Sequence, residues 1–281
     1  MIRWRGRSVT GGTQGFPLAP DPGRARPAPA SALPARTKKA PPRQATATAP
    51  SRRPRYHRRM MSPTFPTTSG PIVLPGPVGD LEAIIDLPDA EVTALPLVAV
   101  VCHPLPTEGG TMHNKVVTMV ARSLRELGAT TVRFNFRGTG ASAGSFDRGD
   151  GETDDLAAVV DWVRRERPGH ALWLAGFSFG AYVTLRASNA LQPDLLVSIA
   201  PPAGRWDFDS IVLPQCPWLV IQGDADEIVD PEAVYQWLED RGAQAEVVRM
   251  PDTSHFFHRK LIDLRGAVKH GVRAYLPRAA A

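Results

Sequence analysis

Short apolar runs alternate with helix-like patterns from about Ile72 onward. Continuous apolar runs such as "LVAVVC", "ALWLAGF", "LLVSIA" and "WLVIQG" are typical of strands buried on both faces. Segments such as "NKVVTMVARSLRELG" and "DDLAAVVDWVRRER" place apolar residues every three to four positions, which predicts helices. Together with strands "TTVRFNF" and "AEVVRM" and a last helix from about Phe257 to Tyr275, they predict one doubly wound α/β domain with a mostly parallel sheet.

The first 60 residues have a different composition. They are rich in Pro, Ala, Arg and Thr and hold 14 of the 33 basic residues but one of the 28 acidic residues. Their net charge is therefore +13, and that of the remainder is −8. We expect residues 1–65 to be a disordered tail and residues 70–281 to form the domain. The tail has three interpretations: a transit peptide, a nucleic-acid-binding segment, or untranslated upstream sequence, since Met60 and Met61 offer alternative starts.

The remaining composition excludes several classes of protein. An acidic domain is a poor nucleic-acid binder, and no apolar run is long enough for a membrane span or a signal-peptide core. Cys102 and Cys216 have neither metal-ligand spacing nor the number needed for a disulfide framework. We therefore expect free thiols, a cytoplasmic protein, and no metal or organic cofactor.

One pentapeptide carries candidate chemistry: Gly176, Phe177, Ser178, Phe179 and Gly180 lie between strand "ALWLAGF" and helix "AYVTLRASNAL". A serine at such a strand-to-helix turn projects beyond the sheet edge and sits at a helix N-terminus, which favours negative charge. Glycines on both sides relieve crowding against the neighbouring elements. Ser178 is therefore the predicted nucleophile, and the structural alternative is a glycine-rich turn with an incidental serine.

A serine nucleophile needs a base and an acid that orients the base. His255 follows the strand "AEVVRM" and is the predicted base, whereas His258 is assigned to the first turn of the last helix. After "WLVIQG" comes "DADEIVDP". Asp224 is expected to cap the turn and Asp230 to cap the next helix, which leaves Asp226 as the predicted acid.

Hydrolysis by a serine also needs two amide donors for the oxyanion. The first is the N–H of Phe179, directly after the nucleophile. The second should come from the loop after "LVAVVC", where Pro104 and Pro106 have no N–H. Of the nearest donors, Leu105 and Thr107, we favour Leu105.

From about Ile72 to Leu276 the chain resembles the α/β-hydrolase superfamily, and within it small lidless serine hydrolases related to dienelactone hydrolases and carboxylesterases. The resemblance rests on "VCHPLPTEGGTMHNKVV", "RFNFRGTGASAG", "LAGFSFGAYV", "IQGDADEIVDP" and "SHFFH". In that group the first motif usually reads His-Pro-His-Pro, and an Asp usually precedes the Asn-Lys pair. Here Leu105 replaces the second His, and His113 replaces the Asp.

The residues and the resemblance together predict a serine hydrolase that cleaves a small-molecule carboxylic ester through an acyl-enzyme. The alternatives are a thioesterase or serine peptidase with the same triad, and a non-catalytic binding protein with the same fold. Only 48 positions separate Ser178 from Asp226, which leaves no room for a lid domain. Trp206 and Phe208, in the turn before "WLVIQG", are expected to line the acyl pocket. Oligomeric state is not predicted.

Overall fold

The computed structural model describes residues 63–278. Its elements are strands β1 (Gly70–Gly76), β2 (Gly79–Asp86), β3 (Leu97–Cys102), β4 (Thr130–Phe134), β5 (Ala171–Phe177), β6 (Leu195–Ile199), β7 (Trp218–Gly223) and β8 (Glu246–Met250), and helices α1 (Lys115–Arg125), α2 (Asp150–Glu166), α3 (Phe179–Leu191), α4 (Pro231–Asp240) and α5 (Leu261–Gly271). Two short 3₁₀ helices cover Pro106–Glu108 and Arg273–Tyr275.

The strands form one sheet in the order β1-β2-β4-β3-β5-β6-β7-β8. All pairs from β4 to β8 are parallel, and β1 and β2 pair antiparallel at one end. Every residue of β3 and β7 is buried, as their continuous apolar sequences predict. The predicted doubly wound α/β class is therefore confirmed.

Helices cover the sheet on both faces and divide the core into two layers. Apolar residues of α2, α3 and α4 join one cluster with inward-facing residues such as Val100 and Leu174. Residues of α1 and α5 join the other, with Val101 and Ala175 from the same strands. Alternate side chains of a strand point to opposite faces, so β3 and β5 contribute to both layers. This arrangement leaves the carboxyl ends of the parallel strands open to loops.

The sequence pattern did not predict the antiparallel hairpin of β1 and β2. β1 contains Pro71 and Pro75, which cannot donate to a ladder and are tolerated because β1 is an edge strand. β2 does alternate, burying Leu81, Ala83 and Ile85 with less buried residues between them. That alternation was the available signal for a strand with one covered face.

Ordered packing begins before the predicted domain boundary. Phe65, which the prediction placed in the tail, is 7% exposed and stacks on Trp162 of α2 with ring centroids 5.0 Å apart. Its amide donates to Glu166 Oε2, and the indole N–H of Trp162 donates to the carbonyl of Pro63. The tail prediction for residues 1–62 lies outside the described residues. For residues 63–65 it is corrected, because an aromatic side chain there extends the core.

The last helix is shorter than predicted. α5 begins at Leu261, and the residues before it form turns in which Phe257 and Arg259 have positive φ values of 54° and 60°. Such values interrupt a right-handed helix. His258 is therefore an exposed turn residue, and its predicted place in a first helical turn is wrong. Residues 200–217, between β6 and β7, contain no helix or strand, in agreement with the predicted lack of a lid.

Candidate active site

Ser178 lies on a sharp turn between β5 and α3. Its backbone has φ 51° and ψ −118°, so a non-glycine residue occupies a sparsely populated conformation. Its N–H donates to the carbonyl of Ile199 at the end of β6, which ties the turn to the neighbouring strand. The strained turn places the hydroxyl beyond the carboxyl edge of the sheet.

The two flanking glycines are required by close backbone approach. A Cβ on Gly176 would lie 2.2 Å from the carbonyl oxygen of Gly180, and one on Gly180 would lie 2.4 Å from that of Cys102. Backbone atoms cannot move aside as a flexible side chain can. The glycines thus let α3 start directly against β3 and β5, for the steric reason that the sequence suggested.

His255 joins Ser178 to Asp226 in a chain of hydrogen bonds. The distance from His255 Nε2 to Ser178 Oγ is 3.1 Å, and that from Nδ1 to Asp226 Oδ2 is 2.8 Å. Because a carboxylate can only accept, Nδ1 carries the proton and Nε2 is free to accept from the serine hydroxyl. The imidazole packs on Phe177 with ring centroids 5.0 Å apart. The three predicted residues, 29 to 77 positions apart in sequence, therefore meet in space.

The Asp226 carboxylate is held from several sides. Oδ1 accepts the amides of Ile228 and Val229, and Oδ2 accepts from Gln222 Nε2 as well as from His255. Burial pushes the pKa of Asp226 upward, but these hydrogen bonds outweigh it and lower the pKa below its ordinary value. The carboxylate is thus kept ionised beside the imidazole. Buried Gln222, in β7, was not found from the sequence; a polar residue within an otherwise apolar strand was the signal.

The other two aspartates of this loop have separate partners. Asp230 caps α4 by accepting the amide of Glu232, as predicted. Asp224 accepts from the hydroxyl of Tyr235, not from a backbone amide as expected for a turn cap. Asp226 itself closes the turn through its two amide contacts, the role that the sequence analysis assigned to Asp224.

A cavity of about 480 Å³ opens over the serine. Ser178, His255, Phe179 and Leu105 all line it. The amides of Phe179, the first residue of α3, and Leu105, which precedes the 3₁₀ helix, donate to no other described residue. Two unpaired amides beside a serine hydroxyl are the arrangement that an oxyanion site needs.

A buried histidine holds the loop that carries Leu105. His103 is fully buried, and its Nε2 accepts the amide of Phe136, 3.0 Å away. The proton must then be on Nδ1, which donates to the carbonyl of Pro104 over 2.7 Å. Burial lowers the pKa of His103 to about 4, so it is neutral near pH 7. The Pro104 carbonyl and the Leu105 N–H belong to one planar peptide, so this bond fixes the direction of the Leu105 amide. Sequence reasoning did not single out His103.

The chain resembles proteins of known structure over almost the whole described region. An α/β serine hydrolase without lid from Xanthomonas campestris is 67% identical, with a TM-score of 0.76, and the alignment covers 78% of this chain and all of that one. The chain belongs to the α/β-hydrolase superfamily. An α/β serine hydrolase homologue from Coxiella burnetii is 42% identical, with a TM-score of 0.71 and coverage of 74% and 100%.

Two further matches agree with this assignment. Residues 99–214 match the family described as serine aminopeptidase, S33. An uncharacterized protein of Rickettsia prowazekii is 32% identical over 182 residues, which are 61% of this chain and 76% of that protein.

The hydrolase's cavity wall is partly aromatic. Trp206 lines it, as expected, but Phe208 is buried against Tyr182 and Trp237 and does not line the cavity. Glu108, Glu227 and Arg205 add charged groups to the wall. Among the described residues, no group of three or more His, Cys, Asp or Glu side chains is placed to hold a metal ion. Within the same region, no helix is both long and apolar enough to cross a membrane.

Proposed function

We propose that this hydrolase cleaves a small-molecule carboxylic ester through an acyl-enzyme. The observation that carries the proposal is the hydrogen-bonded chain from Ser178 through His255 to Asp226, which opens onto a cavity with two unpaired amides. In this proposal the three residues are nucleophile, general base and orienting acid. The amides of Phe179 and Leu105 bind the oxyanion.

The proposed reaction has two halves. Ser178 Oγ attacks the carbonyl carbon while His255 Nε2 takes its proton, and the carbonyl electrons move onto the oxygen that faces the amides of Phe179 and Leu105. The tetrahedral intermediate collapses, the C–O bond to the alcohol breaks, and the alcohol leaves with the proton from His255. Water then attacks the acyl-enzyme by the same route and releases the acid and the free serine.

The loop that follows β3 and carries Leu105, which we call the oxyanion loop, is positioned by a second residue in the same proposal. His103 does not reach the cavity, but it binds the peptide that carries the Leu105 amide. A donor that is already aimed before the reaction needs no reorganisation when the oxyanion forms. We therefore assign His103 as a positioning residue.

Peptide hydrolysis is the second candidate. It is favoured by the match to the serine aminopeptidase family over residues 99–214 and by the carboxylates of Glu108 and Glu227, which line the cavity and suit an ammonium group. An ester has a better leaving group than a peptide amide, which favours ester hydrolysis. The open cavity without a lid suits small soluble substrates. A panel of short acyl esters, thioesters and aminoacyl amides with purified protein would rank the three activities.

The nucleophile can be tested directly. A fluorophosphonate probe should label Ser178, as read by peptide mass spectrometry, and Ser178→Ala should abolish both labelling and ester turnover. Ser188→Ala is a matched control, because Ser188 is also buried but lies within α3, where its hydroxyl donates to the backbone carbonyl of Leu185 and does not line the cavity. Undiminished turnover in Ser178→Ala would contradict the mechanism.

A further inference from the structure

A second cavity adjoins the catalytic one and differs from it in charge. It has a volume of about 470 Å³ and shares Asn114 and Phe256 with the catalytic cavity as lining residues. Its wall comes from the start of α1 and from the turns between His255 and α5. We call it the basic cavity, because its titratable lining residues are all bases: His113, Lys115, His258 and Arg259.

The basic cavity has the opposite charge balance to the domain as a whole, in which acidic residues outnumber basic ones. Beyond residue 60 the chain holds 27 acidic and 19 basic residues, yet no acid lines the basic cavity. All four basic side chains are exposed, and none forms an ion pair or a side-chain hydrogen bond with another described residue. Lys115 is also the first residue of α1, where the helix dipole adds positive potential.

Two acids of the surrounding elements have hydrogen-bond or ion-pair partners of their own. Glu82, which interacts electrostatically with His113, accepts hydrogen bonds from Asn135 and from the amide of Ala141. Asp263, on the first turn of α5, pairs with Lys260 at 3.9 Å. None of the four bases therefore has an ion-pair partner among the described residues, and an anionic group would supply one.

The basic cavity also lies within reach of the reacting atoms. The Phe256 ring touches the His255 imidazole on one side, with centroids 5.1 Å apart, and contacts the His258 ring, with centroids 6.2 Å apart, on the other. A ligand that passes Phe256 would leave the catalytic cavity, where the acids Glu108 and Glu227 outnumber the one guanidinium of Arg205. It would enter the basic cavity, whose lining contains no acid and attracts a negative charge.

We propose that the natural substrate is an ester with an anionic group, a carboxylate or an acidic group of similar size, several bonds from the ester linkage. The inference rests on the proposed ester hydrolysis. The ester carbonyl lies at Ser178, and the anion lies in the basic cavity beyond Phe256. The catalytic steps are unchanged, and the basic cavity acts on substrate choice.

The experiment compares matched ester pairs of increasing chain length, in which a terminal carboxylate is replaced by a primary carboxamide. One series carries the terminal group on the acyl side, as monomethyl esters of dicarboxylic acids, and the other on the alcohol side, as acetate esters of hydroxy acids. The measured quantity is the ratio of kcat/KM for the carboxylate ester to that for its carboxamide. We expect a ratio well above one at an intermediate length in one series, and a fall toward one at high ionic strength.

Neutralising variants then locate the effect. Lys115→Gln and Arg259→Gln should each lower the ratio by about 1.5- to 5-fold, the range expected for single exposed charge pairs, and the double variant should bring it close to one. Arg273→Gln is the matched control. Arg273 is an exposed base in the 3₁₀ helix that follows α5, and the length of α5, roughly 16 Å, separates it from the basic cavity at the start of α5. It should leave the ratio unchanged.

Failure of this inference is distinguishable from failure of the proposed function. Turnover of the carboxamide esters with a ratio near one at every length in both series would overturn the anion site and leave ester hydrolysis standing. A high ratio that survives in the double variant would also overturn it. Absence of turnover for all esters, together with no labelling of Ser178, would instead reject the proposed function.

Discussion

His103 offers a test that separates positioning of the oxyanion loop from simple stability. Its two ring nitrogens make two different buried bonds, one to the carbonyl of Pro104 and one to the amide of Phe136. The side-chain amide of His103→Asn reaches the position of Nδ1, whereas that of His103→Gln reaches the position of Nε2. Asn can therefore keep the bond to Pro104, and Gln can keep the bond to Phe136.

The two variants should lose similar stability but different activity. Each leaves one buried backbone group unpaired, which costs about 1 to 3 kcal/mol in the free energy of unfolding. Only His103→Gln frees the peptide that carries the Leu105 amide. Complete loss of one oxyanion donor costs about 10²- to 10³-fold in kcat, and since the peptide is loosened and not removed, we expect about 10- to 100-fold for Gln. For Asn we expect a loss of no more than about 5-fold, since its donor is retained.

The assay is steady-state hydrolysis of a short soluble ester, together with urea unfolding of the same preparations. Because the oxyanion exists only in the transition state and the tetrahedral intermediate, the loss should fall on kcat with KM nearly unchanged. Binding of a trifluoromethyl ketone, which forms a tetrahedral adduct with the serine, should weaken in parallel with kcat. Equal losses of kcat in the two variants, or losses that follow only their unfolding free energies, would refute the positioning role of His103.

Three further predictions test other parts of the molecule. Asp226→Asn should lower kcat by about 10⁴-fold, by analogy with serine proteases, while Asp224→Asn should cost far less; the reverse order in steady-state assays would move the orienting role to Asp224. Because the pKa of His103 is lowered from 6.5 to about 4 on folding, the unfolded chain binds the extra proton between these values. The free energy of unfolding is therefore unaffected by the titration of His103 above about pH 6.5 and falls by roughly 3 kcal/mol as the pH drops to 4. Denaturant titrations at several pH values should show that His103→Asn reduces this pH dependence. A chain that starts at Met61 retains Phe65 and should match the full chain in Tm and kcat/KM, whereas Phe65→Ala should lose about 3 kcal/mol of unfolding free energy; a Tm several degrees lower on truncation alone would show that residues before 61 contribute to the fold.

The sequence predicted best where one physical signal dominated. β3, β5, β6 and β7 are almost entirely apolar runs, and no other element of a small α/β domain buries both faces in so few residues. The pattern failed where signals competed. Prolines concealed the edge strand β1, and the apolar and aromatic residues after His255 concealed the positive φ values that delay α5 to Leu261.

The features that depend on local geometry could be predicted from the residues alone. A glycine-flanked serine between a strand and a helix predicts the sharp turn that carries Ser178. The order of the later strands places one loop with Asp226 and another with His255 at the same sheet edge. The pairing of polar groups that are distant along the chain could be seen in the folded structure and not in the sequence. It set Asp226 against His255 while Asp224 bonded Tyr235, and it placed His103 between Pro104 and Phe136. It also brought the start of α1 beside the turn after His255 to form the basic cavity. Hydrogen bonds act over about 3 Å, so which of several nearby polar groups are paired is fixed by packing and not by spacing in the sequence.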